Sequence, residues 1–227
     1  MKNYWHCIHI LATVIGSLSI SYAQEEFTTF TEPFISLKYN ATKSYSAQLQ
    51  LGNRNYLYQD NNYAHKVQLL DLTHISALKI GTASKIGMGA RYRLGDPFNN
   101  DAENEIRLIQ LYKWRFEKAS FFQHQIQLEE RFLSDITKFR MRYALQCTLP
   151  LKNQSASSPD YLKIYTEPLW QLSPDHKPEL EQRVGSGLGW NIMHDATLDI
   201  GLQYRLKNYL NSTGHQLFAI LGFTVLI

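Results

Sequence analysis

Charged residues that recur at every second position are the feature of this sequence that most clearly points to a functional role. Between residues 105 and 117, one set of alternate positions is mostly charged and the other set is mostly apolar. The charged set comprises Glu105, Arg107, Lys113, Arg115 and Glu117, and the apolar set comprises Ile106, Leu108, Tyr112, Trp114 and Phe116. A period of two predicts a strand with one polar face and one apolar face. Charges in such numbers cannot pack in a small sandwich core, but they can line a closed barrel whose outside faces lipid.

The same alternation extends the charged face to other segments and defines a candidate lumen charge network. Its members are Arg91, Arg93, Glu105, Arg107, Arg115, Glu117, Glu129, Arg131, Arg140, Arg142, Glu167, Arg183, Asp199 and Arg205. Two interpretations of this network remain open. The charges could set the selectivity of a water-filled, porin-like pore for small anions or zwitterions, or they could pair with one another and fill a narrow barrel. Because both signs are interleaved at short spacing, we favour the paired ladder.

His74 and Ser76 form a second pattern, whose residue types could take part in catalysis. They lie two residues apart, on a strand face shared with Leu70, Leu72 and Leu78, which predicts that they face lipid. A His-x-Ser pair on a lipid-facing wall resembles the site of outer-membrane phospholipase A. A serine nucleophile needs a base and a third group that orients the base, and no such orienting residue is visible in the sequence. We therefore expect a non-enzymatic protein with no catalytic residue, and a phospholipase-like enzyme using this pair is the alternative.

Histidines and cysteines provide no metal site by their spacing. The His residues are scattered and form no ligand cluster, and Cys147 is the single cysteine after residue 23. We therefore predict no metal and no cofactor. The formal net charge of +3 is too small to indicate nucleic acid as a partner.

The N-terminal segment predicts export. Lys2 precedes an apolar run at residues 8–20, and Ser21-Tyr22-Ala23 has the small-x-small pattern of a signal-peptide cleavage site. Residues 1–23 are thus predicted to be a signal peptide and residues 24–227 a single domain. The most apolar later stretch, residues 217–227, is too short to cross a membrane as a helix but long enough to cross as a strand.

Export and amphipathic strands together predict the outer membrane of a Gram-negative bacterium. The rival interpretation is a soluble periplasmic β-sandwich. In the outer membrane, the expected partners are membrane lipid, the barrel-assembly machinery and, if the lumen conducts, small polar solutes. The expected role is that of a narrow solute channel or of a structural wall protein with a charge-filled lumen.

Eleven segments alternate in this way and are bounded by turn residues. They are residues 33–40, 44–58, 64–80, 85–94, 103–117, 121–133, 137–149, 160–172, 180–194, 196–209 and 215–227. Because single-chain bacterial barrels have an even number of strands, residues 25–30 are predicted to form a short additional strand. The predicted fold is an all-β, closed antiparallel transmembrane barrel of about twelve strands in an up-and-down meander, with ten strands as the alternative.

One predicted strand carries glycines where its neighbours carry charges. Gly185, Gly187 and Gly189 share the inward face of the segment that also contains Arg183. Glycines without side chains allow a bulky group to approach the wall. We expect this group to be a facing arginine, and a ligand is the alternative.

Several short motifs occur in an order that resembles a known family. They are Glu105-Ile106-Arg107, Glu129-Glu130-Arg131, Arg140-Met141-Arg142-Tyr143, Thr166-Glu167-Pro168, Arg183 with Gly187-Leu188-Gly189-Trp190, and residues 198–204. Together they resemble the outer-membrane family known as domain of unknown function 2490. Gln125 and Gln127 depart from the family pattern, which more often has arginines at these positions. The resemblance implies a β-barrel and brings no activity, substrate or catalytic residue.

Overall fold

A computed structural model describes residues 27–116, 119, 121–151, 158–174, 176–210 and 212–227. The predicted signal peptide and Glu117 of the predicted charge network lie outside these residues. Within the described part of the chain, no helix is long and apolar enough to cross a membrane.

The described chain folds into strands that close on themselves. They are β1 (Phe27–Tyr39), β2 (Tyr45–Gln59), β3 (Asn62–Ile80), β4 (Ser84–Leu94), β5 (Glu105–Trp114), β6 (Phe122–Phe132), β7 (Thr137–Pro150), β8 (Tyr161–Leu172), β9 (Glu179–Met193), β10 (Ala196–Lys207) and β11 (Gly214–Leu226). Each strand pairs with its sequence neighbours, and β1 pairs with β11 to close the barrel. The predictions of an all-β fold and of a closed barrel are confirmed.

The described residues form a barrel of eleven strands, so the predictions of twelve and of ten strands are wrong. From Phe27 onward, the segments predicted separately at 25–30 and 33–40 are joined in one continuous strand, β1. Pro33 lies inside this strand although proline has no N–H to donate. The β1–β2 ladder passes from the pair Thr31–Asn55 directly to Phe34–Gly52 in the same register. Proline therefore interrupts the ladder locally and does not end the strand.

An odd number of strands changes how the meander closes. The ten pairs along the chain are antiparallel, as predicted, whereas β1 and β11 run parallel, from Phe27 opposite His215 to Lys38 opposite Leu226. We call the barrel end with connections 40–44, 81–83, 115–121, 151–160 and 194–195 end A. The other end, with connections 60–61, 95–104, 133–136, 173–178 and 208–213, is end B.

Burial alternates along the strands as the sequence pattern predicts. In β5, Glu105, Arg107 and Ile109 are buried, whereas Ile106 and Leu108 are 52% and 47% exposed. The side chains of the buried set point into the lumen, and those of the exposed set form the outer wall. The interior is thus mostly polar and the exterior is apolar, the reverse of a soluble protein core.

Tyrosines, and not the expected arginines, pack over the glycines of β9. A Cβ atom at Gly185 or at Gly189 would overlap the rings of Tyr165 or Tyr161 on β8, which lie directly opposite in the ladder. Cross-strand packing of an aromatic ring over glycine covers the exposed backbone. The third glycine, Gly187, lies opposite Gly201 of β10, and the two backbones are in close contact.

We expect Gly201→Ala to destabilise the barrel by about 1–3 kcal/mol because it overpacks this contact. The added Cβ would lie 2.6 Å from the carbonyl oxygen of Ser186 and 3.1 Å from Cα of Gly187. Gly52→Ala is the matched control, since the nearest atom to its added Cβ is 3.8 Å away. Urea unfolding followed by tryptophan fluorescence measures both. Equal urea midpoints for the two variants would show that the β9–β10 contact accommodates an added methyl group.

Candidate functional site

Two buried glutamates on adjacent strands form the centre of the lumen charge network. Glu105 of β5 accepts hydrogen bonds from Nε and Nη2 of Arg107 at 2.6 and 3.0 Å, and from the guanidinium of Arg131 on β6. Glu129 of β6 lies 3.5 Å from Arg107 and is also paired with Arg142 of β7. Because two-residue steps keep side chains on one face, the alternation of β5, β6 and β7 places all five groups in the lumen.

From this centre the network extends toward β3 through Asp71. Arg93 of β4 donates to both carboxylate oxygens of Asp71, at 2.8 and 2.7 Å. Arg91 lies 3.6 Å from the same carboxylate and donates to the Thr73 hydroxyl at 2.8 Å. Bidentate arginine–carboxylate pairs of this kind are strong and fix the orientation of both groups.

In the other direction the network reaches β7, β8 and β9. Gln171 accepts from Nη2 of Arg140 at 2.6 Å and also from Arg131. Glu167 accepts from Arg183 at 2.9 Å, and Arg183 donates to Glu181 at 2.6 Å. The contacts of Arg140 with Gln171 and of Arg183 with Glu167 join neighbouring strands. The contact of Arg183 with Glu181 lies within β9, and that of Arg131 with Gln171 spans β6 to β8.

Glu32 joins the network across the parallel seam. Its carboxylate accepts from Arg54 of β2 at 3.1 Å and from Arg205 of β10 at 2.9 Å. The Arg205 guanidinium lies 3.6 Å from the ring centroid of Phe218 on β11, and that ring stacks on Phe30 at 4.7 Å. Glu32, Arg54 and Arg205 line the same cavity as the arginines of the other strands, and with Phe218 every described strand contributes a side chain to these lumen contacts.

The structure brings most of the predicted network residues together. Arg91, Arg93, Glu105, Arg107, Glu129, Arg131, Arg140, Arg142, Glu167, Arg183 and Arg205 lie in the lumen network described above. Two predicted members lie apart from it, near end A. Arg115 donates to Gln123 at 3.0 Å, and Asp199 accepts from Lys163 at 2.7 Å and from Tyr161 at 3.0 Å. Glu117 lies outside the described residues.

Several network members were not predicted: Glu32, Arg54, Asp71, Gln171 and Glu181. The parity of the strands would have identified four of them. Asp71 alternates with the apolar outward residues of β3, for example, and Glu181 lies two residues from Arg183. Glu32 lay in the gap between two predicted segments and had no assigned parity. The departures Gln125 and Gln127 extend the network, because Gln127 donates to Glu129 at 2.6 Å and Gln125 donates to Gln127 at 2.8 Å.

The network surrounds a cavity of about 390 Å³ in the half of the lumen toward end B. Eleven cationic side chains and three carboxylates line it. Among the described atoms, the buried Nε atoms of Arg54 and Arg142 have no hydrogen-bond partner. The cavity is therefore electropositive, although most of its arginines are held by acids or amides in its wall.

His74 and Ser76 lie on the outer wall and are hydrogen bonded to each other. Nε2 of His74 is 3.1 Å from Oγ of Ser76, and the hydroxyl of Tyr45 on β2 is 2.8 Å from the same Oγ. A base within this distance can activate a serine. The third polar group contacts the serine and not the histidine, however, so the arrangement differs from a triad in which the third group orients the base.

No group of three or more His, Cys, Asp or Glu side chains is arranged to hold a metal ion within the part of the chain that the structure describes. Most of the lumen carboxylates are instead paired with guanidinium groups.

Comparison with known proteins identifies one family. A family model described as "Protein of unknown function (DUF2490)" matches residues 29–216. This confirms the family resemblance predicted from the order of the short motifs. No curated protein and no solved structure matches the chain.

Glu129→Gln should lower the free energy of unfolding by about 3–5 kcal/mol, because it leaves buried guanidinium groups uncompensated. Glu129 is 2% exposed. The neighbouring Glu130→Gln makes the same chemical change on the outer wall, opposite Leu108 and Phe139, and should not lower stability, because an amide on an apolar wall is no costlier than a carboxylate. Denaturant unfolding of both purified variants measures the difference. Similar losses in the two would mean that the lumen pairs add no stability.

Proposed function

The chain belongs to the family of unknown function DUF2490, and we propose that it is a non-enzymatic β-barrel protein of the bacterial outer membrane, with a lumen closed by its charge network. The family membership brings no activity with it. The proposal is carried by one observation: oppositely charged side chains from the whole circumference are buried against each other inside the barrel.

An apolar outer wall supports the membrane location. Ile35, Leu51 and Met88 are 57%, 57% and 69% exposed and belong to three different strands. Exposed apolar residues of this kind continue around the barrel, and a soluble monomer rarely exposes so large an apolar surface. The predicted signal peptide supports export, and membrane lipid and the barrel-assembly machinery are the partners that such a protein needs.

Burial of the network centre supports a wall protein over an open channel. Arg107 and Glu129 are 1% and 2% exposed, and Ile109, one step further along β5, is 1% exposed. The polar cavity toward end B and a second lumen cavity toward end A share no lining residue. Small barrels have interiors that side chains fill. The second candidate function is a narrow solute channel. It is favoured by the presence of a cavity on each side of the buried residues Arg107, Ile109 and Glu129.

A lipid-modifying enzyme is the remaining candidate, favoured by the His74–Ser76 hydrogen bond on the outer wall. This geometry supports activation of the serine hydroxyl. Against it, the Tyr45 hydroxyl is also within hydrogen-bond distance of Ser76 Oγ, and no hydrogen bond to Nδ1 of His74 is found among the described residues. An imidazole without an orienting partner is a weak general base in such sites.

We expect Leu108→Arg to cost about 2–4 kcal/mol in lipid vesicles, since this is the cost of an arginine on a barrel wall near mid-membrane. Leu108 faces outward from the middle of β5. Leu108→Met keeps the apolar surface and serves as the control. The mature protein should also fractionate with outer membranes and resist extraction by high salt. A harmless Leu108→Arg, together with recovery in the periplasm, would contradict the membrane location.

Planar-bilayer recordings test whether the lumen is closed. The reconstituted wild-type protein should give no stable conductance steps, because the buried charge layer leaves no continuous water path. Steps whose ion selectivity changes in Arg140→Glu would establish the channel instead. Protein reconstituted in phospholipid vesicles tests the enzyme. Phospholipid hydrolysis that disappears in both His74→Ala and Ser76→Ala would contradict both non-enzymatic functions and establish the enzyme.

A further inference from the structure

A second lumen cavity, toward end A, is lined by cations of a different kind. Its volume is about 630 Å³, and its charged lining residues are Lys38, Lys43, Lys79, Lys85, Lys113 and Arg115. No aspartate or glutamate lines it among the described residues. Lys43 belongs to connection 40–44 and Thr82 to connection 81–83, so the cavity reaches the rim of the barrel. We call it the lysine vestibule.

The charges of the lysine vestibule are not compensated by the protein that the structure describes. None of its six cations is within 4.0 Å of a carboxylate in the described part of the chain, in contrast to the arginines that Glu105, Glu129 and Glu167 hold toward end B. Asp199, which lies at the same end, is already engaged by Lys163 and Tyr161. Like charges that converge without counter-charges repel one another and favour the binding of an anion.

The chemistry of the lining selects among anions. Lysine presents a compact ammonium with three donors, and this group binds phosphate oxygens as a point charge, without the planar geometry that arginine requires. Small-molecule sites have volumes of roughly 300–1,000 Å³, and the lysine vestibule lies within this range. A ligand with several negative charges can contact lysines from β1, β3, β4 and β5 at once.

We propose that the lysine vestibule binds a multiply charged, phosphate-bearing anion. The phosphate can come from a soluble polyphosphate-like solute or from the head group of an anionic lipid at the rim. This inference depends on the closed barrel and its cationic cavity, and the soluble source does not require the membrane location proposed above.

Titration calorimetry with inorganic tripolyphosphate tests the soluble source on the folded full-length protein in a neutral detergent. The wild type should bind, with affinity that decreases as NaCl increases. Lys85→Gln combined with Lys113→Gln should weaken binding by about tenfold or more per lysine, as expected for lost charged hydrogen bonds. The control combines Lys66→Gln and Lys177→Gln, which remove two cations at end B and should leave binding unchanged.

Lipid nanodiscs test the other source. The thermal unfolding midpoint should rise when phosphatidylglycerol is added to phosphatidylcholine discs, and the rise should be absent in the Lys85/Lys113 variant and present in the control. Tripolyphosphate binding that is lost in this variant assigns a soluble ligand, and a lipid effect alone assigns a head group. If the variant does not fold, Lys43→Gln with Lys79→Gln at the exposed rim replaces it. Absence of both effects, or effects equal in vestibule and control variants, would overturn the proposal.

Discussion

The pairing of β1 with β11 closes the barrel, and no turn of the chain enforces it. The other strand pairs are joined by short connections, whereas these two strands are separated by most of the sequence and run parallel. Without the pair, two strand edges would be exposed and the lumen charges would lose their enclosure. Side chains in the lumen hold the seam: Glu32 of β1 binds arginines of β2 and β10, and Phe30 stacks on Phe218 of β11. Contacts across the seam therefore stabilise the closure that makes all other lumen contacts possible.

The two halves of the lumen differ in how their charges are balanced. Toward end B the cations are mostly arginines, whose planar groups each reach several acceptors, as Arg131 reaches both Glu105 and Gln171. A buried arginine network is tolerable only when nearly every group is paired, because removal of charges from water is costly. Toward end A the cations are mostly lysines, and their ammonium groups lie in a wider, accessible cavity. Hydration there allows the lysines to remain without protein partners.

Much of this fold follows from the parity of the sequence. Alternation identified eleven segments and the inward face of most members of the charge network, because a strand has a period of two whatever its neighbours are. The number of strands was predicted incorrectly since a general rule about even numbers was given priority over the segments themselves, and Pro33 was interpreted as a strand start. Partners could not be predicted: that Gln171 joins Arg131 to Arg140, or that Tyr161 packs over Gly189, depends on the register of neighbouring strands, which the sequence does not state. The His74–Ser76 contact follows from two-residue spacing, but the approach of Tyr45 does not.

The proposed closed lumen is compatible with a binding site in the lysine vestibule. Ile109 and Ser36 are buried between the vestibule and the arginine cavity, and the two cavities share no lining residue. In the closed barrel that we propose, a ligand bound in the lysine vestibule stays at one side of the barrel. Positive charge at that depth also attracts phosphate from the rim, where the outer wall meets the connections of end A. On the proposed functions, the network gives the barrel its rigidity and the unpaired lysines give one of its two faces a binding chemistry.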